Sequence, residues 1–114
     1  MGPYSQAIRS GQLVFASGQI PLDPATGEKV EGEIEDETRQ VLANLRAVLE
    51  AADSGMDQVV KATVYLTDLT LFPRVNAVYA EAFDVAPAPA RVTVGVSALP
   101  LGAQVEIDAI ALVR

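Results

Sequence analysis

Two prolines stand directly before a run of alternating residues, and this stretch constrains the fold more than any other. Pro87 and Pro89 fix their own φ and push the residues before them toward extended geometry, so the backbone enters Arg91 without helical character. Over residues 91–96 the valines fall on one side, and Arg91 and Thr93 fall on the other. We therefore predict a strand here, with one face in the core and the other face outside it.

A second strand follows this one after a turn. Residues 99–102 interrupt the alternation with Pro and Gly, and a period of two resumes over residues 104–113. If the two strands pair as an antiparallel hairpin, Gly95 lies opposite Glu106, and Arg91 shares a face with that glutamate. A slip of one residue or a bulge would move the acids to the other face. Arg91 and Glu106 then form either a cross-strand ion pair or part of a site.

The rest of the chain alternates between strand and helix patterns. Further elements are indicated by hydrophobic periodicity: strands over residues 6–9, 13–17 and 60–67, and helices over residues 36–53 and, after a cap at Thr70, to Phe83. Ser10-Gly11 predicts a hairpin turn between the first two strands. The order β-β-α-β-α-β-β indicates an α+β fold with two helices on one face of a mixed sheet, and residues 1–114 read as a single domain.

Composition excludes several kinds of chemistry. The chain has 0 His and 0 Cys, which rules out disulfides, thiol nucleophiles, Ser-His-Asp triads and Cys/His zinc sites. Its 8 basic residues are scattered among 15 acidic ones, a net charge of -7 that disfavours nucleic acid as a partner. No apolar run has the length of a membrane span, and no secretory leader is recognisable, so we expect a cytoplasmic protein that does not act at a membrane.

Four short segments, taken in order, resemble a known family. They are Gly-Pro-Tyr-Ser-Gln-Ala at 2–7, Ser-Gly-Gln-Ile-Pro at 17–21, Val-Asn at 75–76 with Tyr79 before Phe83, and Pro-Ala-Arg at 89–91 followed by Leu-Pro, Gly and Val-Glu-Ile. Together they resemble the RidA (YjgF/YER057c/UK114) family of reactive intermediate deaminases. The resemblance runs from Gly2 to the end of the chain.

The resemblance implies both a fold and an activity. The fold is the chorismate-mutase-like one, in a homotrimer whose sheets pack into a central barrel with clefts between neighbouring subunits. The activity is hydrolysis of enamines and imines such as 2-aminoacrylate, the class of 2-iminobutanoate/2-iminopropanoate deaminases, which releases 2-keto acids and ammonia. Neither a metal nor a cofactor is implied, because such imines already hydrolyse spontaneously.

The resemblance also implies three catalytic residues. Arg91 would hold the substrate carboxylate with its planar fork of N–H donors. Glu106 would position or activate the attacking water and shuttle protons. Tyr4 matches a tyrosine that closes the pocket and offers its hydroxyl. The alternatives are an ion pair between Arg91 and Glu106 and, for Tyr4, a loosely held aromatic side chain near a frayed terminus.

Four more residues are implied to bind substrate. Ser17 and Gly18 match a segment whose hydroxyl and backbone N–H approach the ligand, although a glycine there can also merely end a strand. Asn76 falls near the apolar stripe of the second helix, where an asparagine more often bonds to backbone. Thr93 stands where many members have cysteine, so thiol-based regulation does not carry over.

Other functions stay open from the sequence. A non-catalytic trimer could use Arg91 to bind small carboxylates, or could act in a chaperone-like way. A deaminase of another amino-acid or aromatic pathway within the superfamily would have the same motifs. RNA cleavage, which has been attributed to relatives, is disfavoured by the missing histidine and the negative charge.

Overall fold

The computed structural model describes residues 3–114, so Gly2 of the first family-like segment lies outside the described residues. The strands and helices are β1 (Ala7–Ser10), β2 (Leu13–Gln19), α1 (Ile34–Ala51), β3 (Val59–Leu66), α2 (Phe72–Ala82), β4 (Ala90–Gly95) and β5 (Val105–Leu112). This confirms the predicted order. The turn between β1 and β2 is also as predicted, and Gly11 adopts a φ of 59° that suits glycine.

The sheet order is β1-β2-β5-β3-β4, and the predicted hairpin of β4 with β5 is therefore wrong. The chain crosses from β3 through α2 to β4, and this connection places β4 parallel to β3 at the edge of the sheet. β5 then pairs antiparallel with the other side of β3 and with β2. As a result Gly95 lies opposite Leu66, and Glu106 lies opposite Tyr65.

The topology also decides which face each side chain occupies. Arg91, Ala62 and Ala109 are cross-strand neighbours in one row across the sheet, and the two alanines are buried beneath the helices. Glu106 is in a row with Tyr65 on the opposite face. Arg91 and Glu106, which were predicted to share a face, are on opposite faces of this sheet, because Arg91 aligns with Ala62 on β3 and Glu106 aligns three residues further along, with Tyr65.

The starts of the two helices are joined by charged side chains. Arg74 of α2 donates to the Glu35 carboxylate at 2.7 and 2.8 Å and to Glu33 at 3.0 Å. The hydrogen bonds from Arg74 to Glu35, helped by a main-chain hydrogen bond, lower the pKa of Glu35 to about 2.

The predicted cap at Thr70 is wrong, because Asp68 is the acceptor. The Asp68 carboxylate accepts hydrogen bonds from the N–H and the hydroxyl of Thr70 in the turn before α2.

A buried glutamate ties α1 to the beginning of β5. Glu37 is 1% exposed and accepts from the main-chain N–H of Gln104 at 3.0 Å and from its side-chain amide at 2.8 Å. Lys29 approaches the same carboxylate at 3.4 Å. Sequence reasoning did not find this arrangement. It fixes the backbone two residues before Glu106.

The face away from the helices carries exposed apolar side chains. Ile8, Phe15, Val92 and Leu112 lie on it and are 40 to 55% exposed. Phe15 belongs to an apolar run of β2, and among residues 3–114 only the helix side of that run is covered. The sheet therefore has more apolar positions than the two helices cover. Within residues 3–114 no helix is long and apolar enough to cross a membrane.

Candidate functional site

The first part of the candidate site forms where α2 lies over the start of β4. Phe72, Asn76 and Tyr79 project from one side of α2 because they are four and three residues apart. The Arg91 guanidinium donates to Asn76 Oδ1 at 2.6 Å, and its Cζ lies 5.1 Å from the Phe72 ring centroid and 4.8 Å from that of Tyr79. We call Phe72, Asn76, Tyr79 and Arg91 the arginine half-site.

These contacts orient the guanidinium and leave part of it free. Two aromatic faces fix its plane through cation–π interactions, and Asn76 engages one of its nitrogens. The remaining N–H groups of the fork suit a carboxylate. The Asn76 side chain accepts from Arg91, which is a different use from the backbone bond considered as its alternative. Thr93 is half-buried two residues further along β4.

A groove of about 400 Å³ adjoins Arg91, and both polar and apolar side chains line it, with Asp84 among the polar ones. Its lining includes Tyr79, Phe83 and Pro89. The Tyr79 hydroxyl is buried and has no hydrogen-bond partner among residues 3–114. Burial raises the pKa of Tyr79, and the nearby Arg91 charge acts in the opposite direction. The groove can therefore take a small organic acid, with Arg91 for the charge.

A larger groove does not offer the same chemistry. It has a volume of about 590 Å³ between β1 and α1. The cation in its lining, Arg9, already faces Asp53, with 3.9 Å between the guanidinium and the carboxylate. Within residues 3–114 no group of three or more His, Cys, Asp or Glu side chains is arranged to hold a metal ion.

The second part of the candidate site surrounds Glu106 at the start of β5. The pairing of β2 with β5 is irregular between Ala16 and Gln19, and Gly18 lies in that irregularity. The Glu106 carboxylate packs directly over Gly18, where a Cβ would overlap it. Glycine is thus needed here for close approach, a more specific role than ending the strand.

Ser17 holds the N-terminal segment beside this glutamate. Its hydroxyl donates to the main-chain carbonyl of Ser5 at 2.5 Å, and its N–H donates to the carbonyl of Gln6 at 2.8 Å. Tyr4, the residue before Ser5, is 61% exposed. We call Ser17, Gly18 and Glu106 the glutamate half-site.

Glu106 has the electrostatic environment of an acid–base group. Burial raises its pKa, and the negative charge of Asp108 on the same face of β5 adds to this effect. No Lys or Arg side chain within residues 3–114 forms a salt bridge with Glu106. The carboxyl therefore keeps its proton to a higher pH than an exposed glutamate.

The two half-sites are well separated within one chain. Their central residues are three rows apart along the strands and two strands apart across the sheet, which is about 10 Å in each direction. Arg91 and Glu106 also lie on opposite faces. A substrate of a few atoms cannot contact both in the same chain.

Comparisons with known proteins identify the family. The model of the family described as Endoribonuclease L-PSP matches residues 1–113. The chain belongs to this family. A RutC family protein of Pyrococcus horikoshii is 55% identical over 97% of this chain and 87% of the relative. Reactive Intermediate Deaminase A, chloroplastic, of Arabidopsis thaliana is 50% identical over 97% of this chain and 59% of that protein. Its name shows that relatives are not always cytoplasmic.

A solved structure agrees with the fold of this family member. The Escherichia coli protein TdcF with bound serine matches with a TM-score of 0.93 and 39% identity, over 100% of this chain and 91% of that one. The RidA/YjgF resemblance and the α+β fold of the single chain are thus confirmed. The family includes a relative named as a deaminase.

Proposed function

We propose that this chain hydrolyses small 2-imino acids and their enamine tautomers, such as those derived from 2-aminoacrylate, to 2-keto acids and ammonia. The observation that carries this proposal is the guanidinium of Arg91, held against Asn76 and two aromatic rings with N–H donors facing a small groove. The name of the Arabidopsis relative supports the reaction class. The serine bound to TdcF supports a substrate the size of a small amino acid.

Arg91 binds the carboxylate of the substrate in this proposal. A charge-assisted pair to a guanidinium fork fixes both the position and the plane of a carboxylate. The imine carbon next to the carboxylate then has a defined place, and the apolar part of the groove accepts a short side chain. Tyr79 and Asn76 orient Arg91, and Thr93 lies on the same strand.

Glu106 moves the protons. The carboxyl gives its proton to the imine nitrogen while water adds to the carbon, and the carboxylate takes a proton from that water. In the resulting carbinolamine the C–N bond breaks with its electron pair on nitrogen, which takes the Glu106 proton and leaves as ammonia. The hydroxyl proton returns to Glu106 as the C=O bond forms. No cofactor enters this sequence.

The separation of the half-sites requires that two copies of the chain share each site. We propose a homotrimer in which the exposed apolar sheet faces pack together, since a patch of this kind is typical of an association surface. Each cleft then joins Arg91 of one copy to Glu106, Ser17, Gly18 and Tyr4 of another. The net charge of -7 makes RNA a poor ligand for this assembly.

The direct test is release of pyruvate from 2-aminoacrylate that a serine-dehydrating enzyme generates in the same cuvette. We expect this protein to accelerate release above the spontaneous rate. A protein that binds 2-keto acids but gives no acceleration with any small 2-imino acid would instead be the non-catalytic carboxylate-binding trimer.

The close approach of Gly18 to Glu106 gives a specific prediction. In Gly18→Ala the new Cβ displaces the end of the Glu106 side chain, so we expect imine hydrolysis to fall about tenfold or more. The fold should persist because a flexible side-chain end is what moves. Gly27→Ala is the control, since nothing surrounds that loop position, although its φ of 74° adds local strain. Equal activity of Gly18→Ala and wild type would contradict the placement of Glu106.

A further inference from the structure

Two polar residues beside Glu106 have no part in the mechanism proposed above. Tyr65 lies directly opposite Glu106 on β3, and Asp108 follows two residues later on the same face of β5. The Tyr65 hydroxyl crosses the diagonal between the strands and donates to Asp108 Oδ2 at 2.8 Å. The Tyr65 ring therefore passes Glu106, and its hydroxyl holds the next carboxylate in place.

We propose that Asp108, held by Tyr65, is a positioning residue for Glu106: the fixed carboxylate keeps the catalytic proton on Glu106. This inference rests on the proposed function and extends it from the reacting groups to the residues that set their protonation. Neither Tyr65 nor Asp108 touches the substrate. Both act through the glutamate.

The geometry explains why a fixed carboxylate is effective. An exposed aspartate turns toward solvent, and water screens its charge. The hydroxyl of Tyr65 prevents this by anchoring one oxygen of Asp108 on the sheet. Two carboxylates two residues apart on one strand face are neighbours, so a negative charge on Asp108 disfavours ionisation of Glu106. The Tyr65 hydroxyl donates to Asp108, so this carboxylate is held on the face that carries Glu106.

The groups that face Glu106 from the neighbouring strands are few. β5 contributes Asp108, and β3 contributes Tyr65 and, further along the same face, Lys61. On the β2 side the sequence is Ser-Gly-Gln at residues 17–19, which has no titratable side chain. Burial is the larger cause of the raised pKa of Glu106, and the charge of Asp108 adds to it. The hydrogen bond to Asp108 raises the pKa of Tyr65.

The test compares Asp108→Asn and Tyr65→Phe with wild type by two readouts. The first is the titration of Glu106, followed by ¹³C NMR of protein labelled at the glutamate side-chain carboxyl and assigned with Glu106→Gln. The second is the pH profile of kcat/KM for imine hydrolysis. Asp57→Asn is the matched control, because it removes a carboxylate at the far end of β3, where Asp57 pairs with Arg114.

We expect Asp108→Asn to move the Glu106 midpoint and the alkaline limb of the profile to lower pH. On that limb kcat/KM should fall about three- to tenfold. Tyr65→Phe should move both in the same direction by less, Asp108→Glu should restore both, and Asp57→Asn should move neither.

The inference is overturned if the midpoint or the limb stays at the wild-type pH in Asp108→Asn, or if Asp57→Asn moves it equally. A wild-type protein with no imine hydrolysis would overturn the proposed function instead. In that case the NMR midpoint still shows whether Asp108 controls the proton on Glu106.

Discussion

Glu106→Gln is expected to lower kcat for imine hydrolysis by about 10²- to 10⁴-fold, the usual contribution of a general acid–base group. The amide keeps the size of the side chain but neither gives up nor accepts a proton in the way the reaction needs. Substrate binding should change little, because Arg91 is intact. Single-turnover pyruvate release together with binding of a 2-keto acid measures both quantities. Unchanged kcat would remove Glu106 from the chemistry.

The same variant has an expected effect on stability, which controls for misfolding. The folded protein raises the pKa of Glu106 above the ordinary value of 4.5, so the unfolded chain loses this proton first as pH increases. Glu106 therefore costs the wild type stability once pH passes 4.5, and the cost grows up to the folded-state pKa. We expect Glu106→Gln to melt at a higher temperature than wild type at pH 8 and to lose that advantage at pH 4.

Arg91→Ala is expected to lower kcat/KM by about 10²-fold or more, since it removes two charge-assisted hydrogen bonds to the substrate carboxylate. Arg91→Lys keeps the charge but loses the fork and the stacking between Phe72 and Tyr79, so it should recover only part of the activity. The measured quantity is kcat/KM of each variant after subtraction of the spontaneous rate. Arg46→Ala on the exposed side of α1 is the matched control and should behave as wild type.

A second substrate separates binding from folding in the Arg91 variants. An imine without a carboxylate should be hydrolysed equally by wild type and Arg91→Ala, because this substrate has no anion for Arg91 to bind. Retained discrimination in favour of the carboxylate-bearing imine by Arg91→Ala would show that another group binds the carboxylate.

Most of the architecture could be predicted because periodicity reports local structure. The alternation around Arg91 and the apolar spacing of α1 depend only on neighbours in the sequence, and both gave the correct element. The pairing of β4 depends instead on the path of α2 between β3 and β4. Nothing in the residues of β4 and β5 shows that a third strand lies between them.

In the candidate site too, single residues could be predicted, whereas their arrangement in space could not. The resemblance implied Arg91, Asn76, Gly18 and Glu106 one by one, without their contacts. In the structure Arg91 contacts Asn76, and Glu106 packs over Gly18. The distribution over two faces was missed because it follows from the registers of β4 and β5 against β3. The bond between Tyr65 and Asp108 was missed because it depends on the register of β3 and β5. Glu37 resembles any other acid of a solvated helix until Gln104 is placed beside it.

The measurement that tests the shared site most directly is complementation between two inactive variants. Arg91→Ala and Glu106→Gln are unfolded together in equal amounts, refolded, and assayed for imine hydrolysis. If each site joins Arg91 of one copy to Glu106 of another, about one quarter of the sites in a random mixture contain both intact residues. We therefore expect about one quarter of wild-type activity. No recovery in a mixture shown by mass spectrometry to contain hybrid assemblies would contradict a site shared between copies.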